Sequence, residues 1–334
     1  MRESVLSIVV IGRNEGPRLA RCLESIRDMC HPDGHVELVY VDSGSNDGSA
    51  QRAARFGPKV IELLGGKLSA ARARNAGWQA ASAPFVFFLD GDTIVDRDFV
   101  VRALPEFENP RVMVVTGHRR EIRPQASIYN RVLDLDWLFE PGFTEYCGGD
   151  AIMRRTALEQ AGGYNASLIA GEEPDLCWRI RANGGLILHI DAAMTGHDLA
   201  VVNWRQYCLR AIRTGHAYAE IADLYGRTAD PLWSQASRHN AIHGSVYMFA
   251  PIAAVTAATL DRSWVPLLLL VLGALGLILR TALRTRRRRT SLSTLILFAI
   301  HSHVQQVPIF LGQMRQWLNS RQGQKSALIE YKNG

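Results

Sequence analysis

The segment Phe85-Val86-Phe87-Phe88-Leu89-Asp90-Gly91-Asp92 constrains this chain more than any other, because five apolar residues read as a buried strand and end on two carboxylates. Residues two apart in an extended chain point to the same side, so Asp90 and Asp92 can face one cation across a glycine that lets the backbone approach closely. Hard divalent ions such as Mg²⁺ or Mn²⁺ prefer carboxylate and phosphate oxygens together. An Asp-x-Asp triplet also occurs as a solvated turn, so its surroundings must carry the argument.

Those surroundings are ordered. Ser4 to Ile11 reads as a short buried strand followed by Gly12-Arg13-Asn14-Glu15-Gly16, and Val36 to Val41 as a second strand running into Asp42-Ser43-Gly44-Ser45-Asn46-Asp47-Gly48-Ser49. In a parallel α/β sheet, ligands sit at the carboxyl ends of the strands, so both loops belong to one prospective crevice. Leu68 to Gly77 is rich in helix formers and places Arg72 and Arg74 either toward that crevice or on a solvated face.

In order and spacing, the Asn14-Glu15 strand end, the Asp42-Ser43-Gly44-Ser45-Asn46-Asp47-Gly48 turn, the Arg74-Asn75-Ala76-Gly77 helix and Asp90-Gly91-Asp92 resemble the donor site of family 2 glycosyltransferases. The resemblance covers roughly residues 5 to 200. It implies a GT-A fold of the α/β class, Rossmann-like with a mostly parallel sheet. The implied catalytic domain is 1–240, with a donor half about 1–95 and an acceptor half about 96–240. By the same resemblance Asp42 contacts the nucleotide base, Asp92 the metal, and Asp90 the ribose or metal. Arg72 and Arg74 face the donor phosphates, and Asn14, Glu15 and Lys67 complete the donor set. Tyr146-Cys147-Gly148-Gly149-Asp150-Ala151 resembles the acceptor region. Gly171-Glu172-Glu173-Pro174-Asp175 matches the family's Glu-Asp pair at a helix start, with Glu173 in place of the Asp. The general-base role carries to Glu173, with Asp175 in reserve.

Sugar transfer from a nucleotide diphosphate needs charge neutralisation on the leaving phosphate and a base for the acceptor hydroxyl. A metal held by Asp92 would do the first and Glu173 the second, provided burial or neighbouring charge raises its pKa. Glu172, Glu173 and Asp175 would equally serve as helix N-terminal charges. His197, following a strand over Leu186 to Ile190, is either a third metal ligand or a satisfied histidine. Gln206, Arg210 and Arg213 share a helix face suited to diphosphate or lipid phosphate. Processive synthases of the family carry Gln-x-x-Arg-Trp here; Gln206-x-x-x-Arg210 departs from it, which favours transfer of single sugars.

The chain's apolar residues are loaded into its last hundred positions. Val246 to Leu260, interrupted at Pro251, and Trp264 to Leu279 are apolar runs a little short of the ~20 residues that span a bilayer, which suggests a spanning or re-entrant hairpin. Leu292 to Leu311, punctuated by His301, His303 and Pro308, reads as a third, interfacial or re-entrant segment. The second region is therefore 241–334, membrane-associated and helical, with a basic loop at 280–289. Arg280, Arg284 and Arg286 to Arg289 place that loop in the cytoplasm by the positive-inside rule, and the catalytic domain with it, at the inner membrane. The tail through Lys325 and Lys332 is basic. Anionic lipids rather than nucleic acid are the implied partner, because the arginines lie between apolar segments with no aromatic platform. Val5 to Ile11 is too short for a secretory leader. Five cysteines with no close pair in sequence suggest neither a disulfide framework nor a zinc site.

The reading is an inverting, metal-dependent glycosyltransferase using a nucleotide diphosphate sugar, UDP being the commonest carrier, with a polyprenyl-linked glycan as acceptor in envelope or exopolysaccharide synthesis. A polyprenyl-phosphate glycosyltransferase and a non-catalytic nucleotide-sugar-binding scaffold are the alternatives.

Overall fold

The structure, a computed structural model, describes residues 4–66, 68–286 and 290–323. Lys67, Arg287, Arg288, Arg289, Lys325 and Lys332 lie outside the described residues. The chain divides into two compact units, Met1–Ile122 with Trp137–Leu199, and Arg123–Asp136 with Ala200–Gly334. The second unit thus takes a short segment from the middle of the first.

In the first unit β1 (Ser4–Gly12), α1 (Pro17–Asp28), β2 (His35–Asp42), α2 (Ser49–Ala54), β3 (Lys59–Glu62), α3 (Ala70–Ala80) and β4 (Phe85–Asp90) alternate strand with helix. Then come β5 (Thr93–Val95), α4 (Phe99–Ala103) and β6 (Val112–Glu121). After α5 (Ile128–Asp134), which belongs to the second unit, follow β7 (Gly142–Thr144), β8 (Ala151–Arg154), α6 (Arg155–Ala161), α7 (Glu172–Ala182) and β9 (Leu186–His197). The sheet order is β3-β2-β1-β4-β8-β6-β9-β5, with β7 also on β9. Pairing is parallel from β3 to β4 and mixed beyond, where β8 runs antiparallel to both β4 and β6. The parallel character that strand–helix alternation implies is therefore concentrated in the N-terminal half.

Both faces of the sheet are buried, which is why its strands read as continuous apolar runs. Leu6, Ile8, Val10, Phe87 and Leu89 pack with α1 and α4, while Val9, Ile11, Val86 and Phe88 pack with α3, α6 and α7. A Cβ at Gly77 would collide with the Val9 side chain, so this glycine sets how closely α3 rides on β1. Asn75 clamps the same helix: its Oδ1 accepts from the Tyr164 and Trp78 N–H groups and its Nδ2 donates to the Tyr164 carbonyl. Arg74-Asn75-Ala76-Gly77 is thus partly a packing motif. All five cysteines are free thiols, yet the fold brings Cys147 and Cys177, distant in sequence, to 3.5 Å between sulfurs.

The second unit holds α8 (Trp204–Tyr225), α9 (Ser234–Leu260), α10 (Val265–Thr285), α11 (Leu292–Val304) and α12 (Gln306–Arg321). The apolar runs fall short in sequence, but the helices do not: α9 has 27 residues and α10 has 21, because polar turns extend the apolar stretches. Pro251 lies inside α9 without ending it, and Pro308 sits in the first turn of α12, where its missing N–H has no helical partner to lose. Three described stretches, Ser234–Leu260, Val265–Thr285 and Leu292–Arg321, are long and apolar enough to cross a membrane. They differ in burial: 6% and 0% for the first two against 44% for the third. Gly215 and Gly312 explain the third, since a Cβ on either would strike the backbone of the other's helix where α8 meets α12. The boundary expected at residue 240 falls within α9.

Candidate active site

β2, β1 and β4 are neighbours in register, Gly12 beside Asp42 and Ile11 beside Asp90, so their carboxyl ends open side by side. Asn14, in the left-handed region at φ 54°, stitches the first two loops together. Its Oδ1 accepts from the Asn46 N–H at 2.9 Å, while its own N–H donates to Ser45 Oγ at 2.9 Å. Asp42 is 1% exposed and accepts from Ser45 N–H (2.7 Å) and Tyr40 O–H (3.1 Å). Glu15 pairs with Arg18 at 2.9 Å, and its Cγ would lie 3.1 Å from a Cβ on Gly91. Asn14, Glu15, Asp42 and Asp90 therefore share one set of strand ends.

Arg74 is 2% exposed, and three carboxylates surround its guanidinium: Asp90 and Glu173 at 2.9 Å and Glu172 at 3.2 Å. Its Nη1 and Nη2 are committed to protein carboxylates that come from β4 and the first turn of α7, while its Nε is buried without a hydrogen-bond partner among the described residues. Arg72 is likewise engaged, with the Gly65 and Leu64 carbonyls. Gly149 presses into the same corner; a Cβ there would lie 2.6 Å from Arg74 Nη2, 3.2 Å from Asp90 Oδ2 and 3.3 Å from Glu173 Oε1. Burial pushes the Glu173 carboxyl up to about 7, the charge of Glu172 adds to the rise, and Arg74 opposes it. Asp175 is 1% exposed and paired with Arg179 at 2.5 Å, an ion pair within α7.

The third group is Asp90, Asp92 and His197, each offering a ligand atom within 4.8 Å of the others. Asp92 Oδ1 stands 3.3 Å from His197 Nε2, and both side chains are about 5% exposed or less. The local reason is topological. β5 begins directly after Asp92 and pairs antiparallel with the end of β9, Thr93 opposite His197. His197 is thus the last residue of β9 rather than a loop residue following a shorter strand. Two carboxylates and an imidazole make a donor set for a divalent cation. Asp150, fully buried, accepts from Thr195 Oγ1 (2.7 Å) and the Asp90 N–H (3.3 Å). Burial pushes its carboxyl up to about 6 against the opposing charge of Arg119.

Arg210 and Arg213 lie on α8 of the other unit, and Gln206 is spent at the start of that helix. Asn203 caps Gln206 N–H, and Gln206 Oε1 accepts from Val202 N–H in return. The reading of individual motifs passed over Arg119, Trp137 and the pairing of Glu172. Asp150 had a signal, since it closes the Cys147-Gly148-Gly149-Asp150 run.

Residues 7–162 match the sequence profile of Glycosyl transferase family 2. The chain carries a family 2 glycosyltransferase domain. Among its relatives, the Pre-mycofactocin glycosyltransferase of Mycobacterium tuberculosis is 28% identical over 209 residues, 58% of this chain and 42% of that protein. The Beta-monoglucosyldiacylglycerol synthase of Trichormus variabilis is 23% identical over 252 residues, 70% of this chain and 47% of that protein. The chain spans less than half the length of these curated relatives. The mannosyltransferase PcManGT of Pyrobaculum calidifontis, solved with GDP-Man and Mn²⁺, superposes with a TM-score of 0.68 at 19% identity, covering 95% of this chain and 88% of that one. That likeness extends to the fold, which is GT-A.

Proposed function

We propose that this family 2 glycosyltransferase transfers single sugars, with inversion, from a nucleoside diphosphate sugar to a lipid-linked glycan acceptor, and that it requires a divalent ion. The observation that carries the reading is the Asp90, Asp92 and His197 triad beside a Glu173 whose carboxyl titrates near neutrality.

Asp92, His197 and Asp90 would hold the ion, and the imidazole favours Mn²⁺ over the more strictly oxygen-seeking Mg²⁺. When bound, the ion supplies Lewis-acid neutralisation of the leaving diphosphate. The stitched Asn14 and Asp42 loops, with Glu15 and Arg72 on their flank, form the nucleotide end. GDP-Man bound to PcManGT supports a nucleoside diphosphate donor without selecting the base. Glu173 takes the acceptor hydroxyl's proton, for which a pKa near 7 is well matched. Arg74 positions Glu173 and Asp90 rather than meeting the donor phosphates. Asp175, committed to Arg179, is not needed as a base.

The acceptor reading rests on α9 and α10, whose apolar stretches are almost wholly unburied. A relative whose name denotes a glucosyl-diacylglycerol product is consistent with it. Arg280, Arg284 and Arg286 close α10 and favour the cytoplasmic face of the inner membrane for that end. In this reading Arg210 and Arg213, on α8, meet lipid phosphate. The test incubates the full chain with a panel of nucleotide sugars and native lipid extract, with and without chelator. One lipid should gain the mass of one sugar, chelator should stop the gain, and Mn²⁺ should restore it. Undiminished transfer in excess chelator would sink the metal requirement, and a polymer ladder would sink single-sugar transfer.

A further inference from the structure

The acidic corner has a second arginine; Arg74 gives both of its Nη atoms to carboxylates, and Arg119 makes no such close pair. Arg119 on β6 is 17% exposed at its side chain, and its carboxylate neighbour among the described residues is Asp150, at 3.9 Å from Nε. That Nε is buried without a hydrogen-bond partner among the described residues. Asp150 Oδ2 is already taken at 2.7 Å by Thr195 Oγ1. A guanidinium carries five N–H donors in a fixed fork, and withdrawing them from water without acceptors is costly. Arg119 is nevertheless held in place. Its Cζ lies 4.4 Å from the ring centre of Trp137, and Trp137 packs edge-on against His197 with centroids 5.2 Å apart. Gly148 is a further neighbour, a Cβ there lying 3.4 Å from Nη1. A cation with open donors is thus held one aromatic ring away from His197, the partner of Asp92.

We infer that Arg119, braced by Trp137, is an anion-binding group that receives a phosphate oxygen of the acceptor. The inference rests on the proposed transfer reaction and deepens it by giving the acceptor a charged group. Position favours the acceptor over the donor. The loops of Asn14 and Asp42 lie at the ends of β1 and β2, whereas Arg119 lies on β6, beyond β4 and β8 in the sheet. Phosphate suits the fork because it accepts two parallel N–H bonds, and a lipid phosphate and a donor diphosphate present the same oxygens.

The experiment uses the full chain and three readouts on wild type, Arg119→Gln and Arg119→Lys. Calorimetry with GDP and UDP in Mn²⁺ reports the donor arm, binding of geranyl phosphate reports the acceptor arm, and transfer against increasing lipid extract reports turnover. Arg119→Gln should weaken geranyl phosphate and raise the lipid needed for half-maximal rate by roughly 10- to 100-fold, the range for a lost charge-assisted hydrogen bond. Nucleotide binding should change by no more than about two- to threefold, that of an unaltered donor pocket. Arg119→Lys should recover part of the loss, since it keeps the charge without the fork. In the wild-type chain, where folding is not in question, geranyl phosphate should compete with acceptor lipid and not with nucleotide. Weakened nucleotide with unchanged geranyl phosphate would assign Arg119 to the donor diphosphate and overturn the proposal. Unchanged binding in both arms would overturn it too, as would failure of geranyl phosphate to bind the wild type. If no lipid in the extract accepts sugar, the proposed reaction fails, and the two binding arms still decide the role of Arg119.

Discussion

The loops at the ends of β1 and β2 and the corner where β4, β9 and α7 meet are both polar, but they are held in opposite ways. Asn14, Ser45, Asn46 and Asp47 join the loops by hydrogen bonds from backbone N–H groups to side chains. At the corner, Asp90, Glu172 and Glu173 close on the buried guanidinium of Arg74. The first arrangement is local and spreads its stability over several modest bonds. The second gathers like charges around one buried cation, and burial, with the charge of Glu172 adding to it, raises the proton affinity of Glu173. The comparison predicts that equally small substitutions in the two regions have very unequal effects.

The largest should follow Arg74→Met. Removing one partner of a buried charge cluster leaves the others uncompensated and typically costs about 3–5 kcal/mol. We expect a strongly lowered melting temperature, loss of transfer, and partial recovery when Glu172→Gln is added, because that removes one stranded charge. A melting temperature within a degree of wild type would show that the corner does not depend on Arg74.

Next is Glu173→Gln, which should retain nucleotide binding and lower transfer roughly 10²–10⁴-fold, the usual contribution of a general base. The pH profile sharpens this. Glu173 works as a base only when ionised, and its carboxyl is raised to about 7, so wild-type transfer should rise with pH through about 7 and level off above. The same raised value means that its ionisation opposes folding, an effect absent below about 4.5 and complete above about 7. A rate already flat from pH 5 upward would remove Glu173 from the role.

Asp92→Asn should lower transfer by ~10²-fold, since a metal-stabilised leaving group accounts for several kcal/mol of barrier. Raised Mn²⁺ should recover part of the rate, because His197 and Asp90 remain. A loss that no Mn²⁺ concentration moves would place Asp92 outside metal binding.

These two regions also differ in how far the sequence disclosed them. The strand ends were legible because each motif is contiguous and its meaning is local: an apolar run, then Asn14-Glu15 or Asp42 at its close. β1, β2, α3 and β4 were therefore readable, whereas α1, α2 and the four-residue β3 were not read. His197 was readable as a candidate, but its approach to Asp92 depends on β5 pairing with the far end of β9, which no local pattern specifies. Two of the three carboxylates around Arg74, Glu172 and Glu173, are nearly a hundred residues away, so resemblance assigned it to phosphate where the fold sets its Nη atoms against carboxylates. Arg119 carried no motif at all; only the fold brings it to Trp137. In the helical unit composition disclosed the apolar runs, whereas helix lengths depended on polar turns that a hydropathy reading discards.

The smallest predicted effect tests the neutral side of the comparison. Asn14 occupies the left-handed region, where a Cβ crowds the following carbonyl, and its Oδ1 accepts the Asn46 N–H. Asn14→Ala loses both adaptations and should cost ~1–2 kcal/mol, from the backbone strain and one neutral hydrogen bond. Asn14→Gly accepts the backbone angle and loses the side-chain bond alone, so it should cost less. Melting temperatures of the full chain, read with nucleotide affinity, separate the two contributions. Nucleotide binding should weaken in both variants, because the loop that Asn14 ties down loses its partner, but by far less than transfer falls in Glu173→Gln. If Asn14→Gly proves as damaging as Arg74→Met, the loops are as charge-dependent as the corner, and the division between stitched loops and poised carboxylates is lost.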